Sequence, residues 1–195
     1  MIEYFETLLN TINGSIHSLD TERFEELVGD SEMVLSTGNK IIVTGLGKNV
    51  PICEKFVGTM LSFGLNATFM HTNTAVHGDL GAVHKGDLVI ILSKSGETAE
   101  SIYLLEQLKK RDITIWGITF SEKSSLAEKA DKSLMIKMDH EGDKWDIVPN
   151  NSTTLYLIVL QALAIELADR MNVTLDDFRT NHPGGAIGAK LNGNR

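Results

Sequence analysis

The sequence predicts an α/β domain in which a parallel sheet is covered by helices on both faces. Segments of helical periodicity alternate with short extended ones, and the extended ones are near-continuous apolar runs, chiefly Lys40-Ile41-Ile42-Val43-Thr44 and Leu88-Val89-Ile90-Ile91-Leu92. A strand apolar on both sides is buried on both sides, as in a parallel sheet whose crossover helices occupy its two faces. A third observation says what the sheet carries. Ser93-Lys94-Ser95-Gly96-Glu97-Thr98 follows the second run directly. That is the strand-to-helix turn where such folds present open backbone N–H groups to an anion.

Ile2 to Ile16 reads as a helix, with Ile2, Phe5, Leu8, Leu9 and Ile12 at three- and four-residue steps. A second helix starts at the cap Asp20, turns Phe24, Leu27, Val28 and Val34 inward, and ends near Thr37-Gly38. Lys40–Thr44 is the first strand. Gly45-Leu46-Gly47-Lys48-Asn49 breaks it, and Pro51 suits the first position of a helix that runs to Phe63 and is capped by Gly64. Ala67–Met70 is the second strand. His71 to His84 is polar and aperiodic. Asp87–Leu92 is the third strand, Thr98–Arg111 a helix, Ile113–Thr119 the fourth strand, Ser124–Ala130 a short helix and Ser133–Lys137 the fifth strand. After a polar loop, Asp139–Asn151, comes the longest apolar helix, Ser152–Arg170. Leu155, Ile158, Val159, Ala162, Leu163 and Leu167 nearly encircle it, which marks it as central or intersubunit. The tail from Asp177 to Arg195 shows His182-Pro183-Gly184-Gly185 and little regular pattern.

The 195 residues suit one domain, with N-terminal helices over 1–37 and a core over 38–191. No apolar run approaches the roughly 20 residues of a membrane span, and the acidic start is no secretory signal. One cysteine, Cys53, excludes an internal disulfide and suits a reducing cytoplasm. A net charge of −8 argues against nucleic-acid or membrane-surface partners. An anion must therefore be held by local donors.

Gly45-Leu46-Gly47-Lys48 is not a dinucleotide fingerprint, because Val50 stands where the third glycine belongs. Nor is it a Walker loop, because Asn49 follows the lysine. It reads as a tight turn that exposes Lys48. The Ser93–Thr98 turn is more telling. One helix cap needs one hydroxyl, whereas three hydroxyls around Gly96 read as an oxyanion nest for a phosphate. Glu100, Glu141 and His182 are acid/base candidates near neutral pH. His71, His77, His84 and Asp79 share one loop without helical metal-ligand spacing. They read as polar loop residues or substrate contacts, with His71 kept as an adventitious metal ligand.

These motifs resemble the sugar isomerase (SIS) domain family from about Asn39 to Leu191, and within it the isomerase domain of the arabinose-5-phosphate isomerases. The resemblance rests on Gly45–Lys48, on His77-Gly78-Asp79-Leu80-Gly81, on Ser93–Glu100, on Asn151–Thr154 and on Asn181-His182-Pro183-Gly184-Gly185-Ala186-Ile187-Gly188. It implies a flavodoxin-like three-layer α/β/α sandwich on a five-stranded parallel sheet, and a homotetramer with active sites between subunits. It implies that Ser93, Ser95 and Thr98 hold a sugar phosphate, and that Gly47, His77, Ser152 and Thr153 also contact substrate. Lys48, Glu100, Glu141 and His182 match the family's catalytic positions, and His71 a site of inhibitory zinc. No cofactor is required. The chain departs from the family at Asn49-Val50-Pro51, Lys94 and Asn150-Asn151. It ends where many relatives continue into paired CBS domains, so regulation through such a module is not expected.

The expected activity is aldose–ketose isomerisation of D-arabinose 5-phosphate and D-ribulose 5-phosphate through an enediol. Glu141 is the leading base, His182 the proton shuttle or ring opener, Lys48 the oxyanion stabiliser and Glu100 an orienting or sharing group. The sequence leaves the roles of Glu100 and Glu141 interchangeable. A non-catalytic sugar-phosphate sensor and an isomerase of another phosphosugar, such as hexulose 6-phosphate, are the alternatives.

Overall fold

The computed structural model describes residues 2–191 and 193. The elements begin α1 (Ile2–His17), α2 (Thr21–Ser36), β1 (Ile41–Gly45), α3 (Asn49–Ser62), β2 (Ala67–Phe69), α4 (Thr72–Ala75), a 3-10 turn (Asp79–Ala82) and β3 (Leu88–Leu92). They continue with α5 (Ala99–Leu108), β4 (Thr114–Thr119), α6 (Ser125–Lys129), β5 (Lys132–Met135), α7 (Asn151–Arg170), α8 (Leu175–Asn181) and α9 (Gly185–Leu191). Among the described residues, five strands form one all-parallel sheet in the order β2-β1-β3-β4-β5, with Val43 opposite Ile90 and Ile90 opposite Trp116.

Alternation along each strand divides the core. Ile41, Val43, Leu88 and Ile90 face α2, α3 and α7, where Leu27, Phe56, Met60, Leu155 and Leu163 are fully buried. Ile42, Val89, Ile91 and Ile115 face α5 and α6 through Leu104, Leu105, Leu108 and Leu126. Each such side chain contributes about 1.5–3 kcal/mol of burial. The polar ends of the large aromatics are satisfied. The Trp116 indole N–H donates to Asp30 Oδ2 at 2.9 Å and the Tyr156 hydroxyl to the Ile118 carbonyl at 3.0 Å. The α/β/α sandwich expected from the sequence is thus present, and Asp20 caps α2 by accepting from the Arg23 N–H at 2.9 Å.

The structure departs from expectation in local ways. Only the second half of the α1 stripe is used: Ile12 and Ile16 pack on the core, while Ile2, Phe5 and Leu9 are exposed. Helix α3 starts at Asn49, so Pro51 is its third residue, still within the first turn where no N–H is needed. The aperiodic stretch after β2 contains α4 and the 3-10 turn, both too short to show a period. Strand β5 begins one residue early, at Lys132. Helix α7 is long and apolar enough by composition to cross a membrane, contrary to the sequence reading, but just over half of its apolar stretch (56%) is buried in the fold. The tail is more regular than expected. A capping box, in which Thr174 Oγ1 accepts from the Asp177 N–H and the Asp177 carboxylate from the Thr174 N–H, starts α8 just ahead of the tail. Residues 192, 194 and 195 of that tail lie outside the described residues.

Candidate functional site

From β1 the chain turns to β2 on one side, then returns to build β3 on the other. The turns after β1 and β3 therefore diverge, leaving a crevice at the carboxyl ends of those strands. Each turn is shaped by a glycine without room for a side chain. A Cβ on Gly45 would lie 2.8 Å from Asn49 Cβ, and Asn49 spans the crevice floor by donating to the Leu92 carbonyl at 3.3 Å. Gly96 has φ +67°, and a Cβ there would lie 2.2 Å from Ser124 Oγ, the cap of α6.

The hydroxyls of the second turn converge. Ser93 Oγ is buried, accepts from the Gly96 N–H at 3.1 Å and lies 3.1 Å from Thr98 Oγ1. Ser95 Oγ accepts from the Glu97 N–H at 3.2 Å. Thr98 occupies the N-cap position of α5 yet makes no cap hydrogen bond, so the first-turn amides of α5 are left without a side-chain acceptor from that residue. A cavity of about 250 Å³ opens here, lined by Leu46, Lys48, Ser93, Lys94, Ser95 and Thr98. Amides, hydroxyls and ammonium groups with a positive helix end suit a phosphate ester. A larger cavity, about 460 Å³, lies beside β5 between Ser18, Phe120 and Lys137, and shares no lining residue with the phosphate cavity.

The other expected residues distribute as follows. Gly47 sits exposed in the first turn with φ +59°, and Lys48 stands exposed beside it. Ser152 lines the cavity, but Thr153 does not; its hydroxyl donates to the Asn150 carbonyl at 2.8 Å. Glu100 and His77 line an adjoining groove of about 430 Å³ with Thr72, Asn73 and Tyr103.

Glu141 lies in the loop before α7 as expected, but it is not exposed. Its side chain is fully buried, and both oxygens are engaged. Oε1 accepts from Ser152 Oγ at 2.6 Å and pairs with Lys94 Nζ at 2.6 Å, while Oε2 accepts from the N–H groups of Asn150 (3.0 Å) and Ser152 (2.9 Å). Burial alone would raise its pKa. The Lys94 ammonium and the Ser152 and Asn150 donors outweigh that, and the carboxyl is held below its ordinary value. It binds the loop to the N-terminus of α7 and to the phosphate turn.

His182 is not in the cavity of its own chain. It ends α8, stacked on Phe178 at 4.0 Å and donating from Nδ1 to the Phe178 carbonyl at 2.8 Å. Neighbouring Asn181 donates to the Ser62 carbonyl, at the far end of α3 from the crevice, about 20 Å away by helix rise. The Pro183–Gly188 run holds this corner, since a Cβ on Gly188 would meet the His182 carbonyl oxygen at 2.7 Å. His71 caps α4, its Nδ1 accepting from the Asn73 N–H at 3.3 Å. Among the described residues no three His, Cys, Asp or Glu side chains converge, so the chain by itself does not fit a chelated zinc around His71. Cavity residues that sequence reasoning passed over are Asn49, Lys94 and Ser101. Only Lys94 carried a signal, its place between two expected phosphate-binding serines.

The family model of the SIS domain matches residues 34–166. The chain is 35% identical over 177 residues to the arabinose 5-phosphate isomerase KdsD of Pseudomonas aeruginosa, covering 91% of this chain and 54% of that protein. It is 36% identical over 193 residues to the arabinose 5-phosphate isomerase KdsD of Francisella tularensis, covering 97% and 58%. The chain thus spans little more than half the length of these curated relatives. Among solved structures, the Escherichia coli CFT073 protein c3406 in complex with arabinose 5-phosphate matches with a TM-score of 0.85 and 36% identity, over 92% of this chain and 94% of that one.

Proposed function

This chain belongs to the SIS domain family, and we propose that it is a sugar-phosphate aldose–ketose isomerase interconverting D-arabinose 5-phosphate and D-ribulose 5-phosphate. The observation that carries the reading is the uncapped N-terminus of α5, opening beside Ser93, Ser95 and Thr98 at the sheet's switch point. The names of the two curated relatives and the arabinose 5-phosphate complex of the matched structure support the choice of sugar.

In the proposed reaction the phosphate is anchored at this turn, and binding energy gained there positions reacting carbons several bonds away. A base removes the proton from carbon 2 of the open-chain aldose. The electron pair forms the carbon 1–carbon 2 double bond of an enediolate, and the charge gathers on the carbonyl oxygen. Protonation at carbon 1 and transfer of the hydroxyl proton give the ketose. Lys48, exposed at the crevice, stabilises the developing oxyanion. Glu100 takes the role of base in place of Glu141, because Glu100 is exposed at the rim of the adjoining groove while both Glu141 oxygens are engaged. His77 lines the same groove and contacts the sugar.

His182 shuttles protons in the pocket of a second copy. Its Nδ1 is used within α8, which leaves Nε2 as the ring nitrogen open to a second copy. The exposed apolar residues Leu61 on α3 and Ile165 on α7 suit burial between copies in a homotetramer. The single buried cysteine fits a cytoplasmic enzyme.

The test is solvent exchange. In heavy water, D-arabinose 5-phosphate should gain deuterium and D-ribulose 5-phosphate should appear. Mixing His182→Ala with Lys48→Ala chains should restore part of the activity that each lacks alone. Tight binding of the sugar without any exchange would replace the isomerase with a sensor.

A further inference from the structure

We propose, building on the phosphate-site reading above, that Lys94 is a further anion-binding residue of the pocket and that Glu141 acts through it as a positioning residue. Lys94 lies within the phosphate turn, between Ser93 and Ser95, and lines the same cavity. Its side chain is 43% exposed, and its Nζ pairs with a carboxylate that is itself fully buried. A free lysine on a surface turn samples many rotamers, and fixing it costs side-chain entropy. Here that cost falls on folding and not on ligand binding, because Glu141 already holds the ammonium at 2.6 Å.

The anchor is rigid. Glu141 is clamped by the N–H groups of Asn150 and Ser152 and by the Ser152 hydroxyl, at the positive end of the twenty-residue α7. An ammonium has three donors. One serves Glu141, and among the described residues the others have no hydrogen-bond partner. The pocket thus has two ammonium groups, Lys48 and Lys94, within a chain of net charge −8. Hydroxyls and amides supply direction, whereas ammonium groups supply the charge that distinguishes a dianionic ester from a neutral sugar.

The experiment uses the full chain and two probes. Inorganic phosphate, followed by ligand-induced thermal stabilisation, reads the anion site whether or not a given sugar is turned over. D-arabinose 5-phosphate then reads KM against kcat. Lys94→Gln should weaken inorganic phosphate about tenfold or more and flatten its salt dependence. It should raise KM by a similar factor while kcat changes far less. Lys94→Arg should recover part of the affinity. Glu141→Gln should weaken phosphate in the native background and add little in the Lys94→Gln background, because its effect passes through the lysine.

Unchanged phosphate affinity in Lys94→Gln would overturn the assignment. So would loss of kcat in Glu141→Gln with phosphate affinity intact, which would make Glu141 the base. If the native chain binds phosphate with this Lys94 dependence but exchanges no deuterium into any sugar, Lys94 stands and the isomerase reading falls.

Discussion

Gly96→Ala is the sharpest single-atom test of how the phosphate turn is built. At φ +67° a residue with a Cβ is strained, by about 1–2 kcal/mol. The added methyl would lie 2.2 Å from Ser124 Oγ and 2.4 Å from Ser124 Cβ, and Ser124 is buried. Overpacking of this kind costs about 1–3 kcal/mol. Displacing Ser124 also breaks its cap bond to the Ala127 N–H, now 3.3 Å, worth about 1 kcal/mol. Together these give a loss of about 3–6 kcal/mol, a large part of the roughly 5–15 kcal/mol that holds a domain together. Urea denaturation against the native chain measures it, with D-arabinose 5-phosphate titration on the folded fraction. Gly14→Ala is the control: it is exposed in α1 with nothing within 4 Å of the new carbon, and it should be neutral or stabilising by about 0.5–1 kcal/mol. A Gly96→Ala loss below about 1 kcal/mol with unchanged sugar affinity would refute the close-packed turn.

Replacing Ser95 or Thr98 with alanine should weaken D-arabinose 5-phosphate by about 10- to 150-fold each, a net hydrogen bond to a charged group being worth about 1.5–3 kcal/mol; circular dichroism should be unaltered, and unaltered affinity would remove these hydroxyls from the site. Glu141 makes stability depend on acid. Its folded carboxyl lies below the ordinary 4.5, so its ionised form stabilises the fold above that value, and the contribution fades as pH drops through the lowered one. The native chain should exceed Glu141→Gln by about 1–3 kcal/mol near pH 7, and the gap should close only as the pH falls below the ordinary carboxylate range; a constant gap would contradict the buried ion pair. Cys53 is buried and its thiol is pushed well above its ordinary range by desolvation, so iodoacetamide should modify it only on unfolding; rapid labelling of the folded chain would show that α3 is not packed as described.

The layered fold was legible because burial on both faces writes itself into Ile41–Val43 and Leu88–Leu92 as unbroken apolar runs. The phosphate turn was legible because its hydroxyls and glycine lie within six consecutive residues. What could not be read were relations between distant segments. Nothing local in Glu141 says that it meets Lys94 and Ser152, since that contact exists only once β3 and α7 share an end of the sheet. Nothing local in His182 says that α8 docks at the far end of α3. Short elements such as α4 were missed because four residues cannot show a helical period.

The most direct measurement is a crystal structure of the chain with D-arabinose 5-phosphate. The phosphate should lie among Ser93, Ser95, Thr98 and the first-turn amides of α5, with Lys94 Nζ bridging it to Glu141 and a second copy's histidine closing over the sugar. A phosphate seated elsewhere, with the Ser93–Thr98 turn vacant at saturating ligand, would contradict the site.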